Sequence, residues 1–126
     1  MSEGDPLAQR LVSDALWAVV EPLLPRFEPR RQGGGSAPLD ERAAFTAVVY
    51  VLTHGCAWRQ LPASFRVSAA TAHRRYASWT RTGLWERLRG AALDRRIAGQ
   101  PDRDWVAAIV GAATTRSAEA VGRSAT

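Results

Sequence analysis

The sequence predicts an all-α fold: a small helical bundle that contains a helix-turn-helix and is followed by a poorly ordered C-terminal tail. Apolar residues recur at helical spacing in several segments, and no segment shows the period-two alternation expected of a strand. Residues typical of helix caps stand at the segment boundaries. Hydrophobic residues make up 46% of the chain, which is enough for a packed core.

The first two helices are predicted from caps and apolar spacing. Residues 1–12 are expected to be a flexible N-terminus, and Ser13 then caps a helix whose apolar stripe consists of Leu16, Val19, Val20 and Leu23. Residues 26–38, with three glycines and two prolines, form a loop. Asp40 caps the second helix, which runs to about Thr53, is expected to be the most buried helix and ends at a left-handed Gly55.

The second half of the helical domain is predicted to hold two longer helices. Residues 58–61 form one short turn of helix, and Ser68 caps a helix over residues 69–82. Gly83 closes that helix, and another follows over residues 84–97. The helical domain is therefore expected to span residues 13–97. Residues 98–126, rich in small residues with weak periodicity, are expected to hold little stable structure, apart from a short apolar run around residues 105–110.

Positive charge is concentrated in one part of the chain. All 17 basic residues are arginine and the formal net charge is +5. A GC-rich genome would also favour arginine, so the distribution is more informative than the total. Residues 58–96 carry nine arginines and two acids, a net charge of +7, whereas residues 1–57 carry −2 and residues 97–126 are neutral. Such a concentration is typical of a nucleic-acid surface.

The layout around residues 58–82 resembles a helix-turn-helix, in which two short helices are joined by a tight turn and the second lies in the DNA major groove. On a helical wheel, one face of residues 69–82 is apolar: Ala69, Ala72, Tyr76 and Trp79. The opposite face holds small residues and arginines: Ala70, Arg74, Ala77, Ser78 and Arg81. The first face is expected to lie in the core and the second to meet DNA.

Six residues are predicted to contact DNA. Arg74 is the first candidate for a base edge, helped by Thr71 and His73, whereas Arg75 and Arg81 are expected to bind phosphate. Arg59 is expected either to reach phosphate or to pair with an acid. Arginine on a solvated helix face is also common in proteins that bind no DNA, so simple solvation stays open on this pattern alone. Trp58, Trp79 and Trp85 are expected to anchor the core rather than stack on bases.

The sequence indicates neither an enzyme site nor a metal site. Gly33-Gly34-Gly35 lacks the Lys-Ser/Thr of a phosphate-binding loop, and no Cys/His cluster has zinc-ligand spacing. Cys56 is the only cysteine, so no internal disulfide is expected. The longest apolar run is too short to span a bilayer and no signal peptide is evident. No cofactor, no membrane partner and a cytoplasmic location are therefore expected.

Three segments resemble the N-terminal region of IS5-type insertion-sequence transposases. They are Leu11 to Pro25, Val48 to Pro62 with its Gly-Cys-x-Trp-Arg-x-Leu-Pro string, and His73-Arg74-Arg75-Tyr76 followed by Trp79 and Gly83-Leu84-Trp85. Together they cover about residues 11–97. The resemblance implies a helical domain that binds the terminal inverted repeats of the element. It also implies a following RNase H-like domain that cuts DNA with a carboxylate triad and Mg²⁺.

The chain departs from the family pattern after residue 103. Asp104-Trp105 is similar to an Asp-Trp pair that, in the family, precedes a strand bearing the first catalytic aspartate, but Gly111 stands where that aspartate is expected. Residues 98–126 are therefore interpreted as a truncated linker, a remnant of the start of the catalytic domain. Glycine offers no oxygen to a metal ion, so no catalytic residue is assigned and this chain alone is not expected to be an enzyme.

Three functions stay open from the sequence. The chain could be a DNA-binding fragment of a decayed or split element, a stand-alone regulator that occupies the inverted repeats, or a protein-interaction module built on the helix over residues 84–97. The partners expected are double-stranded DNA with the element's inverted repeats, and a second copy of the chain or intact transposase. In the first two cases the protein would associate with the bacterial nucleoid.

Overall fold

The computed structural model describes residues 6–25, 40–93 and 100–125, and these residues are helical with no strand. The all-α prediction is confirmed. The α-helices within this part of the chain are α1 (Pro6–Leu11), α2 (Asp14–Val20), α3 (Glu41–His54), α4 (Ala69–Arg81), α5 (Leu84–Leu93) and α6 (Gln100–Ala125). Short 3-10 turns follow α2 at Glu21–Leu23 and lie between α3 and α4 at Trp58–Gln60 and Ala63–Phe65.

The predicted helix caps are confirmed. The Ser13 hydroxyl accepts from the Leu16 N–H at 3.1 Å, and the Asp40 carboxylate accepts from two backbone N–H groups at the start of α3. Ser68 caps α4 in the same way, with a 3.0 Å bond from the Thr71 N–H. Gly55 ends α3 in the left-handed conformation, φ 64°. Each cap satisfies an N–H or C=O group that the helix itself leaves unpaired.

Helix α3 lies at the centre of the core. Its residues Ala44 to Val49, Val51 and Leu52 are buried, as its apolar sequence predicts. Phe45 is fully buried, and its ring lies 6.1 Å from that of Trp17, 5.7 Å from that of Trp79 and 6.3 Å from that of Trp85. Aromatic pairs at these separations pack well as tilted or offset rings. Trp79 and Trp85 therefore anchor the core, as expected.

The expectation of a flexible N-terminus fails for residues 6–12. They form α1 and the turn that follows it, in which Leu11 and Val12 are buried. The Arg42 guanidinium donates to the Val12 carbonyl at 3.0 Å and to the Asp14 carboxylate at 2.8 Å. This hydrogen bond and the positive charge lower the pKa of Asp14 below its usual range. Residues 6–12 are thus fixed by contacts with α3 that no local pattern signals.

The prediction of a poorly ordered C-terminal tail is wrong. Residues 100–125 form α6, which buries Val106, Ile109, Val110 and Ala113 against the rest of the core. The Trp105 indole donates to the Leu11 carbonyl at 2.7 Å and ties α6 to the end of α1. The segment carries a narrow apolar stripe among alanine, glycine and threonine. Its helix is stabilised by packing more than by its own amphipathic pattern.

Several predicted segments lie wholly or partly outside the described residues, among them residues 1–5 of the predicted N-terminus and residues 98, 99 and 126 of the predicted tail. The loop predicted over residues 26–38 is one of them. The helix predicted over residues 84–97 is confirmed as α5 from Leu84 to Leu93, and its last residues belong to the undescribed stretch. Within the described part of the chain, no helix is both long enough and apolar enough to cross a bilayer.

Candidate nucleic-acid interface

Helix α4 presents a buried and an exposed face, as its sequence predicts. Ala72, Tyr76 and Trp79 are buried, and Ala69 is half-buried. The exposed side chains on the other side are those of Ala70 and of three predicted contact residues, His73, Arg74 and Arg81. Ala77 and Ser78 are half-buried between the two faces. The solvent-exposed face of α4 is thus narrow and consists of arginine, histidine and small residues.

A short chain of hydrogen bonds orients Arg74. The Ser68 hydroxyl donates to the Thr71 hydroxyl at 2.9 Å while accepting from the Thr71 backbone N–H. The Thr71 hydroxyl in turn accepts from the Arg74 guanidinium at 3.2 Å. The helix cap, Thr71 and Arg74 therefore form one connected line along the first turn of α4. This arrangement reduces the side-chain freedom that Arg74 would lose on binding a ligand.

Arg75 occupies a different environment from its neighbour Arg74. Its guanidinium lies 3.0 Å from the Glu41 carboxylate of α3, and only 17% of its side chain is exposed. Burial raises the pKa of Glu41, and the charge of Arg75 acts against that rise. The structure therefore places Arg75 between α3 and α4 rather than on the exposed face with Arg74 and Arg81.

The residues just before α4 lie beside its exposed face. The 3-10 turn Trp58–Gln60 is closed by a hydrogen bond from the Ala57 N–H to the Gln60 side chain at 2.8 Å. The Trp58 ring meets the His73 ring edge-on, with centroids 5.4 Å apart. This contact brings the turn that carries exposed Arg59 next to the turn of α4 that carries His73. Because the segment is a 3-10 turn rather than an α-helix, a helix-turn-helix in the strict sense stays a prediction.

Arg66 is an exposed arginine that the sequence reasoning missed. It follows the 3-10 turn Ala63–Phe65 and has a positive φ of 62°. The sequence places it in a turn, and nothing in its neighbourhood indicates which side of the fold that turn faces. Arg66 itself lies two residues before Ser68, the cap of α4, so its backbone is close to the N-terminal end of that helix.

Few acids offset these arginines. No acidic residue lies between Glu41 and Glu86 in the chain. Of the other described arginines in the basic stretch, Arg89 pairs with Glu86 at 2.8 Å, and Arg87 donates to the carbonyls of Thr82 and Leu23. Within the described ranges, four exposed arginines of this stretch make neither an ion pair nor a hydrogen bond to a backbone carbonyl: Arg59, Arg66, Arg74 and Arg81. The interface is therefore positive without internal neutralisation.

Comparison with known proteins identifies the family. A family model described as "Putative transposase of IS4/5 family" matches residues 12–89, more than half of the chain. The chain belongs to the IS4/5 transposase family. It is also 40% identical over 99 residues to the insertion element IS402 uncharacterized 16.2 kDa protein of Burkholderia cepacia, a match that covers 76% of this chain and 67% of that protein. No solved structure matches the chain.

The match to the IS4/5 family covers the candidate interface but not α6. All six predicted contact residues lie within residues 12–89, whereas α6 begins at Gln100. Gly111, where the resemblance expects an aspartate, is an exposed residue of α6, and Asp104 is exposed about two turns earlier. Residues 104–111 thus form helix where the family pattern suggests the approach to a strand. Among the described residues, no cluster of three His, Cys, Asp or Glu side chains could hold a metal ion.

Proposed function

We propose that this IS4/5-family chain binds double-stranded DNA through the exposed face of α4, and that its site lies in the terminal inverted repeats of an insertion element. One observation carries the proposal. Arg59, Arg66, Arg74 and Arg81 are exposed on or beside α4 with no acid paired to them, and Arg74 is oriented through Thr71. An unneutralised set of arginines on one helix and its preceding turns matches what a phosphate backbone requires.

The shape of α4 suits the major groove. The groove is about 12 Å wide and admits one α-helix. Ala70 is exposed and Ala77 half-buried, so the helix can approach closely between the arginines. Arg74, held in place at one end, is suited to a bidentate contact with guanine, whereas Arg59, Arg66 and Arg81 are suited to phosphates. Arg75 contributes through its bond to Glu41 rather than by touching DNA.

The proposal is tested by measuring binding to a duplex that carries the inverted repeat and to a shuffled duplex of the same composition. Fluorescence anisotropy over roughly 50 to 200 mM salt gives the number of phosphates neutralised, at a slope of about −0.9 each. Three to four arginine contacts predict a slope of about −3 to −4. Binding that does not change with salt, or no preference for the repeat, would reject the proposal.

Two substitutions separate base reading from phosphate binding. Arg74→Ala is expected to weaken binding to the repeat by about 1–3 kcal/mol and to relax preference at one base position. Arg81→Ala is expected to weaken both duplexes equally and to lower the salt slope by about 1. Arg89→Ala is the control, because it removes the same charge from a side chain paired with Glu86. Identical behaviour of the Arg74 and Arg81 variants would contradict the assignment of the two roles.

We also infer that the chain binds DNA without cutting it. The support is Gly111: it carries no oxygen ligand, and it lies on an exposed helix rather than in a strand. Two-metal strand cleavage needs carboxylates that clamp both ions. The chain would then act by occupying the repeats.

A further inference from the structure

The helix that lies outside the family match contacts the back of the candidate interface. The guanidinium of Arg116 on α6 donates to the Cys56 carbonyl at 2.7 Å. Its central carbon also lies 5.3 Å from the centre of the Trp58 ring, over the ring face. One side chain thus contacts both the backbone just before the 3-10 turn and the Trp58 indole within that turn.

Trp58 in turn packs against α4. Its ring lies 5.4 Å from the ring of His73 and 5.3 Å from that of Tyr76, so it packs against both an exposed and a buried residue of the helix. The Trp58 position therefore sets where the turn carrying Arg59 lies relative to α4. Removing the Arg116 guanidinium would free the indole on one face and leave the Cys56 carbonyl without this donor.

Tyr76 provides a second link between the same two helices. Its hydroxyl donates to the Ala113 carbonyl at 3.1 Å and lies 2.7 Å from the Ser117 hydroxyl. Ala113, Arg116 and Ser117 fall within about one helical turn of α6. This part of α6 therefore faces both the buried side of α4 and the 3-10 turn Trp58–Gln60. Helix α6 thus supports the candidate interface from its buried side.

We propose that Arg116 is a positioning residue for the DNA-binding face and that α6 is part of the DNA-binding unit. The proposal rests on the function proposed above. Arg116 is half-buried and its guanidinium is bound to Cys56 and Trp58, so it acts through the turn rather than through phosphate. The DNA-binding unit of this chain then extends beyond the residues that the family match covers.

The test uses the full chain with Arg116→Gln, Arg116→Lys and a control, Arg103→Gln. Arg103 lies on the same helix, so its replacement removes the same charge without touching Trp58. Before DNA is added, the proton resonances of the His73 ring are recorded, because they sense the ring current of Trp58. Arg116→Gln is expected to shift them, and Arg103→Gln to leave them unchanged.

With DNA, Arg116→Gln is expected to lower affinity for the inverted repeat about tenfold, within the range of one lost base contact. The salt slope should stay that of the wild type. Arg116→Lys keeps the charge but not the planar guanidinium, so it should recover only part of the affinity. Thermal melting of each variant checks that the chain remains folded at the assay temperature.

Each outcome decides the proposal. A salt slope lowered by about 1 in Arg116→Gln would make Arg116 a direct phosphate contact, which overturns the positioning role. Full recovery in Arg116→Lys, unchanged affinity in Arg116→Gln, or unchanged His73 resonances would overturn it as well. If the wild type binds no duplex, the proposed function fails and the positioning role falls with it. In that case shifted His73 resonances would still show that α6 orders the turn.

Discussion

Adjacent arginines on α4 are expected to respond to substitution in opposite ways. Arg75 pairs with Glu41 at 3.0 Å, with 17% and 33% of the two side chains exposed, whereas Arg74 is exposed. Arg75→Ala leaves the Glu41 carboxylate largely buried without this partner, and its Oε1 atom has no hydrogen bond within the described residues. Breaking a buried pair costs about 3–5 kcal/mol and an exposed one about 0–1. This partly buried pair should therefore cost about 2 kcal/mol.

Thermal melting monitored by circular dichroism measures the difference. For a domain of this size, about 2 kcal/mol lowers Tm by roughly 8 °C. Arg74→Ala, a surface change, should stay within about 0.5 kcal/mol of the wild type. The two variants should have the reverse effect on DNA binding. Arg74→Ala weakens binding to the repeat, whereas Arg75→Ala has the salt slope of the wild type at temperatures where the variant is folded. An unchanged Tm for Arg75→Ala, together with a slope reduced by about 1, would refute this reasoning and restore Arg75 as a phosphate contact.

Three further expectations follow from other residues. Burial raises the pKa of Glu41 above its ordinary 4.5. Protonation of Glu41 therefore stabilises the fold at low pH, and this stabilisation is lost as pH rises through the raised pKa. In denaturant unfolding, the free energy of unfolding of the wild type should rise relative to that of Glu41→Gln as the pH is lowered from about 7 to 4. Gly55→Ala, at φ 64°, should destabilise by about 1–2 kcal/mol, whereas Gly111→Ala, in open space on α6, should stabilise by up to about 1 kcal/mol. The wild type and Gly111→Asp should both leave a supercoiled plasmid with the inverted repeats intact in Mg²⁺ or Mn²⁺, and metal-dependent nicking above a no-protein control would contradict the absence of catalysis.

The sequence predicts the helices whose ends are marked by local chemistry. Ser13, Asp40 and Ser68 are caps because a short polar side chain before an apolar stripe can reach the first free N–H groups. The two faces of α4 follow from helical periodicity alone, since Tyr76 and Trp79 share one side of a wheel with Ala72. A feature that depends on residues within one helical turn of each other can be predicted from the amino-acid sequence alone.

Features that depend on distant residues could not be predicted. Arg75 looks like Arg74 in the sequence, and only the packing of α3 on α4 brings Glu41 within 3.0 Å of it. Helix α6 has few large apolar residues, so its stripe is weak. Its order becomes evident only from partners far away in the chain, such as Leu11 for Trp105.

Folding reduces the number of arginines that are available to bind DNA. Residues 58–96 hold nine arginines, and their number alone suggests a uniformly basic surface. Folding commits some of these side chains to the protein itself: Arg75 to Glu41, Arg87 to two carbonyls and Arg89 to Glu86. Among the described residues of this stretch, the exposed arginines that make neither an ion pair nor a hydrogen bond to a backbone carbonyl lie on α4 and on the turns that lead into it. Because phosphate contacts depend on available rather than total charge, the strength and direction of DNA binding should follow this smaller set and the helices that hold it in place.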